Sequence, residues 1–202
     1  MTHIENLRII LREGIYAPNK KLYPEYINIG DESLIEQRGV LNVPVPPGGV
    51  LADYVPFYFG GHSPMLLKIK TGHGCVKKRA QQEIIFLCTH IDRVVQVCPE
   101  YCFTDGHAKD RLTIFYNNLA DLDKVDWAAV GEQYWTSTEN KPDRMRKKQA
   151  EFLVKSYVPI NSLSGIIVLD EETKRVVEEM SKTAGVSLPI HIDVKRKYYY
   201  ND

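Results

Sequence analysis

Glu151 opens a short apolar run, "EFLV", directly after a basic segment, so a carboxylate stands where cations give way to a strand. From Lys141 to Lys155 the cations are Lys141, Arg144, Arg146, Lys147, Lys148 and Lys155, against Asp143 and Glu151 alone. A carboxylate held rigidly by a strand can face a developing positive charge. The cations beside it can contact phosphate, or form only a solvated helix face. Tyr134, Trp135 and Phe152 flank the segment. Aromatics interleaved with cations suit single-stranded nucleic acid, although aromatics also build cores. Alternation along the strand puts Glu151 and Leu153 on one face, able to line a cleft, with Phe152 and Val154 on the other.

Two further residues have chemistry to offer. Arg38, in "SLIEQRG", is either a helix-end charge or a forked phosphate ligand. His3, beside Thr2, reads by itself as a surface histidine near a chain end. Other motifs are absent from the sequence: it has no GxxxxGK[ST], no GxGxxG after a strand, no HExxH and no GxSxG. Cys75, Cys88, Cys98 and Cys102 form no CxxC pair, so reduced, idle thiols are expected and no metal site.

The elements that must position these residues are mixed. "THIENLRIILREG" predicts an amphipathic helix started by Thr2 and ended by Gly14. Residues 20–49 lack periodicity apart from a helical turn at "DESLIEQR", and such a stretch is often functional. "DYVPFYF" predicts a strand that Pro56 confines to a sheet edge. "SPMLLKIKTG" predicts a helix capped by Ser63 with Pro64 in its first turn. "EIIFLCT", "YCFT", "AEFLVKSYVP", "SGIIVLD" and "LPIHIDV" predict strands. "HIDRVVQV", "DRLTIFYNNLADL", "DWAAVGEQYW" and "EETKRVVEEMSKTAG" predict helices. Without a βαβ rhythm, the expected class is α+β.

The 202 residues suffice for one domain, taken as 1–202, and the formal charge is zero. Acids prevail over residues 121–139 and bases over 141–155, a separation more informative than the sum. "MTHIENLRII" has no signal-peptide core and no apolar run reaches membrane-spanning length, so a cytoplasmic protein is expected, with no membrane association.

Taken together, "THIENLRIILREGIYAPN", "DYVPFYFGGHSPMLLKIKTG", "FTDGHA", "DLDKVDWAAVGEQYW" and "DRMRKKQAEFLV" resemble, in order and spacing, the DarT toxins, which are DNA ADP-ribosyltransferases. The resemblance runs from Thr2 to about Val194. It implies an ADP-ribosyltransferase fold: two small β-sheets around an NAD-binding cleft, with flanking helices. It implies NAD⁺ as co-substrate and transfer of ADP-ribose to a base of single-stranded DNA, thymidine in the branch most resembled and guanine in another. It implies a macrodomain antitoxin, DarG, as partner; the free chain is expected to be a monomer.

Residue by residue, the resemblance makes Glu151 the catalytic glutamate and Arg38 the active-site arginine, binding NAD⁺ phosphates or stabilising a deprotonated base. His107 in "FTDGHA" becomes a catalytic residue near the acceptor. Thr2, His3, Asn19, Arg38 and Tyr58 become NAD⁺ contacts. Arg144, Arg146, Lys147 and Lys148, with His107, become DNA contacts. His62 stands where many relatives carry arginine; it either touches a ligand or braces its turn. The rival readings are the same NAD⁺ chemistry on an RNA or protein acceptor or on water, and a binding module without catalysis. Glu151 argues against the last, because a carboxylate beside phosphates weakens binding.

Overall fold

Two edge strands, one from each of two sheets, flank the cleft. The computed structural model describes residues 1–21 and 23–201. Along the chain come β1 (Thr2–His3), α1 (Leu7–Glu13), β2 (Ile15–Tyr16), α2 (Glu32–Arg38), β3 (Tyr54–Tyr58) and α3 (Pro64–Thr71). Then come β4 (Ile84–Cys88), α4 (Ile91–Val97), β5 (Tyr101–Thr104), β6 (Phe115–Tyr116), α5 (Trp127–Gly131) and α6 (Arg144–Lys148). The last elements are β7 (Glu151–Lys155), β8 (Tyr157–Val158), β9 (Gly165–Val168), α7 (Glu171–Thr183) and β10 (Ile190–Ile192). One sheet has the order β1-β4-β9-β10 and the other β3-β7-β5-β6; β2 and β8 form a small ribbon. This is the expected α+β fold of two small sheets with helices outside.

β3 is an edge strand, as Pro56 requires, and pairs antiparallel with β7 so that Tyr58 opposes Glu151 and Pro56 opposes Leu153. The alternation along β7 is as expected. Phe152 and Val154 enter the main core with Leu7, Ile10, Phe103 and Ile166, and each such burial contributes roughly 1.5–3 kcal/mol. Leu153, on the Glu151 face, packs instead with Tyr54 and Cys102.

α3 starts as its sequence demands: Ser63 Oγ accepts from Leu66 N, and Pro64 occupies the first turn. Asp170 caps α7 in the same way. Three expectations are corrected. Thr2 does not cap a helix, because it lies in β1 paired with Ile85; His3 caps a single 3-10 turn, and α1 begins only at Leu7. The stretch around "TIFYNNLADL" is not one helix: Phe115–Tyr116 adds β6 to β5, and a 3-10 helix covers Leu119–Lys124. "DWAAVGEQYW" is helical only to Gly131. Among the described residues no helix is long and apolar enough to cross a membrane, and no group of three or more His, Cys, Asp or Glu is placed to hold a metal ion.

Candidate active site

The start of β7 is fixed by its neighbour β5. Glu151 N donates to Thr104 Oγ1 at 3.0 Å, and Thr104 Oγ1 donates to Gly106 O at 2.7 Å. Thr104 is fully buried. The same turn supplies Ala108 N, which donates to Glu151 Oε1 at 3.0 Å. The other oxygen, Oε2, accepts from Arg38 Nη1 at 3.0 Å. Glu151 is only 2% exposed, so its charge is compensated by one guanidinium and one amide rather than by water. Arg38 reaches it from the last turn of α2, a helix capped by Asp31 and without a buried residue of its own. Arg38 Nη2 is buried and has no hydrogen-bond partner among the described residues. It is a donor that suits an incoming phosphate or carbonyl oxygen.

Glu151 lies in a cleft of about 400 Å³, lined among others by Thr2, Asn19, Leu34, Arg38, Tyr54, Tyr58, His107 and Lys109. Apolar walls with a few converging polar groups suit a nucleotide-sized ligand. Burial, reinforced by the Glu151 charge, pushes the Tyr58 phenol up, so Tyr58 stays a neutral donor there. His107 N donates to Arg146 O at 2.9 Å, and its Nδ1 accepts from Lys109 N at 3.2 Å. Burial holds the imidazole below its ordinary value, the cations Arg38 and Lys109 add to the effect, and Glu151 opposes it. A neutral ring that accepts at Nδ1 carries its proton on Nε2.

The fold thus brings Glu151, Arg38, His107, Thr2, Asn19 and Tyr58 to one cleft. It does not bring His3 to the lining. Thr2 and His3 alternate along β1, and the His3 ring is held between Glu5 N, at 3.2 Å from Nδ1, and Glu83 Oε2, at 3.2 Å from Nε2.

The basic segment also departs from expectation. Lys148 is 4% exposed and donates to Val130 O at 2.6 Å; burial lowers its ammonium to about 8. Arg146 is pinned by Asp105 and Asp143 and donates to Thr113 Oγ1. Arg144 pairs with Glu132 at 3.0 Å, Lys141 with Glu132 at 2.8 Å, and Lys147 with Asp126 at 3.1 Å. Asp126 and Glu132 of the acidic stretch are therefore partners of Lys147, Lys141 and Arg144 of the basic one. Lys148 and Arg146 are withdrawn from solvent, Lys147 is paired with Asp126, and Arg144 shares Glu132 with Lys141. Phe152 is a core residue, and Trp135 Nε1 donates to Tyr200 OH; Tyr134 is exposed.

His62 braces its turn. It is buried outside the cleft lining, has a left-handed backbone (φ 49°), and packs edge-on against Tyr200, whose hydroxyl donates to His62 O at 2.8 Å. The Ala108 amide and the Thr104 hydroxyl escaped sequence reasoning: a backbone donor has no side-chain signature, and a strand threonine looks like any other.

A family model described as "ssDNA thymidine ADP-ribosyltransferase, DarT" matches residues 1–200. A DNA ADP-ribosyl transferase of Escherichia coli O127:H6 is 35% identical over 192 residues, 95% of this chain and 88% of that protein. The solved structure of Thermus sp. 2.9 DarT with ADP-ribosylated single-stranded DNA superposes with a TM-score of 0.90 at 34% identity, covering 98% of this chain and 93% of that one. The same enzyme with NAD⁺ gives a TM-score of 0.87 at 33% identity, with 98% and 94% covered. With its whole length matched and its glutamate, arginine and histidine gathered in one cleft, the chain belongs to the DarT family of DNA ADP-ribosyltransferases.

Proposed function

We propose that the chain, acting as one catalytic domain in the cytoplasm, transfers ADP-ribose from NAD⁺ to a thymidine base of single-stranded DNA. The glycosidic bond to nicotinamide breaks with its electron pair leaving on nicotinamide, and a base nitrogen, having lost its proton to solvent water, bonds the ribose carbon. Positive charge that develops on the ribose lies against Glu151, and stabilisation of that charge favours the transition state over the bound substrate. Ala108 N keeps Oε1 in place, while Oε2 exchanges Arg38 for a ribose hydroxyl. Arg38, freed from that contact, neutralises phosphate or the deprotonated base. Neutral His107, with a donor at Nε2, orients the acceptor. Thr2, Asn19, Tyr58 and Arg38 hold the nucleotide. His3 acts on the nucleotide through β1, its ring set by Glu83.

The carrying observation is the Arg38–Glu151–Ala108 chain of contacts inside the cleft of a chain matched over its whole length to this family. A role as the toxin of a pair, with a DarG-like macrodomain antitoxin, goes with the family reading. The test is intact-mass analysis of single-stranded oligonucleotides of varied sequence incubated with the protein and NAD⁺. One added ADP-ribose on a thymidine, absent with Glu151→Gln, is the expected result. An adduct on guanine moves the acceptor. Nicotinamide release without any DNA adduct removes the DNA reading.

A further inference from the structure

We infer that the acceptor strand's phosphate backbone is held by Lys109 and Arg111, in the loop after His107, rather than by the basic segment at 144–148. This rests on the single-stranded DNA reading above and says where that DNA lies.

The argument begins with charge. Arg144, Arg146 and Lys147 are each paired with a carboxylate, and Lys148 is buried against a carbonyl. A phosphate must displace a carboxylate from Arg146, and Lys148 lies buried against a carbonyl, whereas an unpaired cation on the surface meets a phosphate with no contact to give up. Lys109 lines the cleft beside His107 and Glu151, and Arg111 is exposed. Neither side chain makes an ion pair or hydrogen bond among the described residues. Asp110 lies between them, with its Oδ1 engaged by Leu112 N at 2.9 Å.

Position and rigidity come next. Lys109 follows Ala108, whose amide touches the catalytic carboxylate, so a strand whose base reaches Glu151 passes this loop. The loop is tied internally by Asp110 N to His107 O, Thr113 N to Asp110 O and Thr113 Oγ1 to His107 O, at 2.9, 3.0 and 2.8 Å. Arg146 grips it through Asp105 and Thr113. Cations on a pre-ordered loop bind phosphate without first being immobilised. Leu112 and Ile114, 74% and 55% exposed on the same loop, offer apolar surface to a neighbouring nucleotide.

The test is fluorescence anisotropy with a labelled, thymidine-containing single strand and NAD⁺, on the Glu151→Gln background so that nothing turns over, between about 50 and 200 mM KCl. Lys109→Glu with Arg111→Glu is expected to weaken binding at least ~10-fold at the lower salt. It is also expected to reduce the slope of log affinity against log salt by about 0.7 for each lost contact. Lys109→Ala with Arg111→Ala should reduce the slope equally. Arg175→Glu with Lys182→Glu, both exposed on α7, controls for net charge. Affinity and slope matching that control overturn the inference while the parent reading stands. Failure of the unaltered protein to bind or modify any single strand overturns both.

Discussion

Arg38 Nη1 and Glu151 Oε2 meet at 3.0 Å, although the residues are 113 positions apart in sequence. Their side chains are 18% and 2% exposed. Removal of one partner of such a pair strands the other charge, whereas removal of both does not. Arg38→Ala should therefore cost about 3 kcal/mol of unfolding free energy, and Arg38→Ala with Glu151→Gln should recover much of it. Chemical denaturation of the four proteins in this cycle measures the coupling. Strict additivity would show that the pair does not exist in solution.

His107 carries a pH dependence of its own. Its folded-state affinity for a proton is depressed mainly by burial. The unfolded ring binds a proton below about 6.5 while the folded ring resists it. Stability contributed by the neutral ring is therefore fully present above about pH 6.5 and is lost as pH falls toward the lower folded value. Melting curves of the unaltered chain and His107→Gln should converge on acidification below 6.5 and run parallel above it. Parallel behaviour throughout would show an exposed ring.

Arg146 is predicted to be a structural keystone. It spans Asp105, Asp143 and Thr113 from one guanidinium. Arg146→Ala should destabilise the chain by roughly 3 kcal/mol. Arg146→Lys should recover only part of that, because an ammonium concentrates its donors at one atom and cannot match two carboxylates bidentately as the planar guanidinium does. Oligonucleotide transfer should fall in both, in step with loosening of the loop that holds Ala108 against Glu151. Unaltered transfer in a destabilised Arg146→Ala protein would disconnect the loop from catalysis.

Lys148 titrates in an alkaline window. Burial lowers it from 10.5 to about 8, with the Glu132 charge opposing the shift. Between those values the unfolded chain binds the extra proton, so stability rises with pH there. After discounting for solvent screening the gain is on the order of 1–2 kcal/mol. Lys148→Met should lack this rise, so the stability difference between the two proteins should climb when they are unfolded from about pH 8 to 10; a flat difference would show an ordinary lysine. His62, held low by burial and by the Lys148 charge, is already neutral in that range and adds nothing.

The readable part of this molecule was local. Ser63 and Pro64 announce α3, Pro56 places β3 at an edge, and alternation in "EFLV" separates Glu151 from Phe152. Glu151 and Arg38 stood out as separate candidates, but His107, and the union of all three in one site, came only through resemblance, since nothing in their own spacing joins them. The charge pattern misled because the sign of a segment says nothing about what folds against it. Asp126 and Glu132 look like an acidic stretch until Lys147, Lys141 and Arg144 close onto them. β6 was hidden because "IFYNNL" has helical spacing of apolar residues, and pairing with Phe103 and Thr104 outweighs that weak local preference.

A Cβ built on Gly106 would collide with the Arg146 guanidinium. Residues 106 and 146 therefore share one allotment of space, and a side chain at the first is compatible only with a shorter one at the second. Mutational effects at the two positions must be read jointly: cutting Arg146 back relieves the steric part of the cost of a side chain at residue 106, so the two losses will not add. A library that varies either site alone will overstate the steric demand at residue 106.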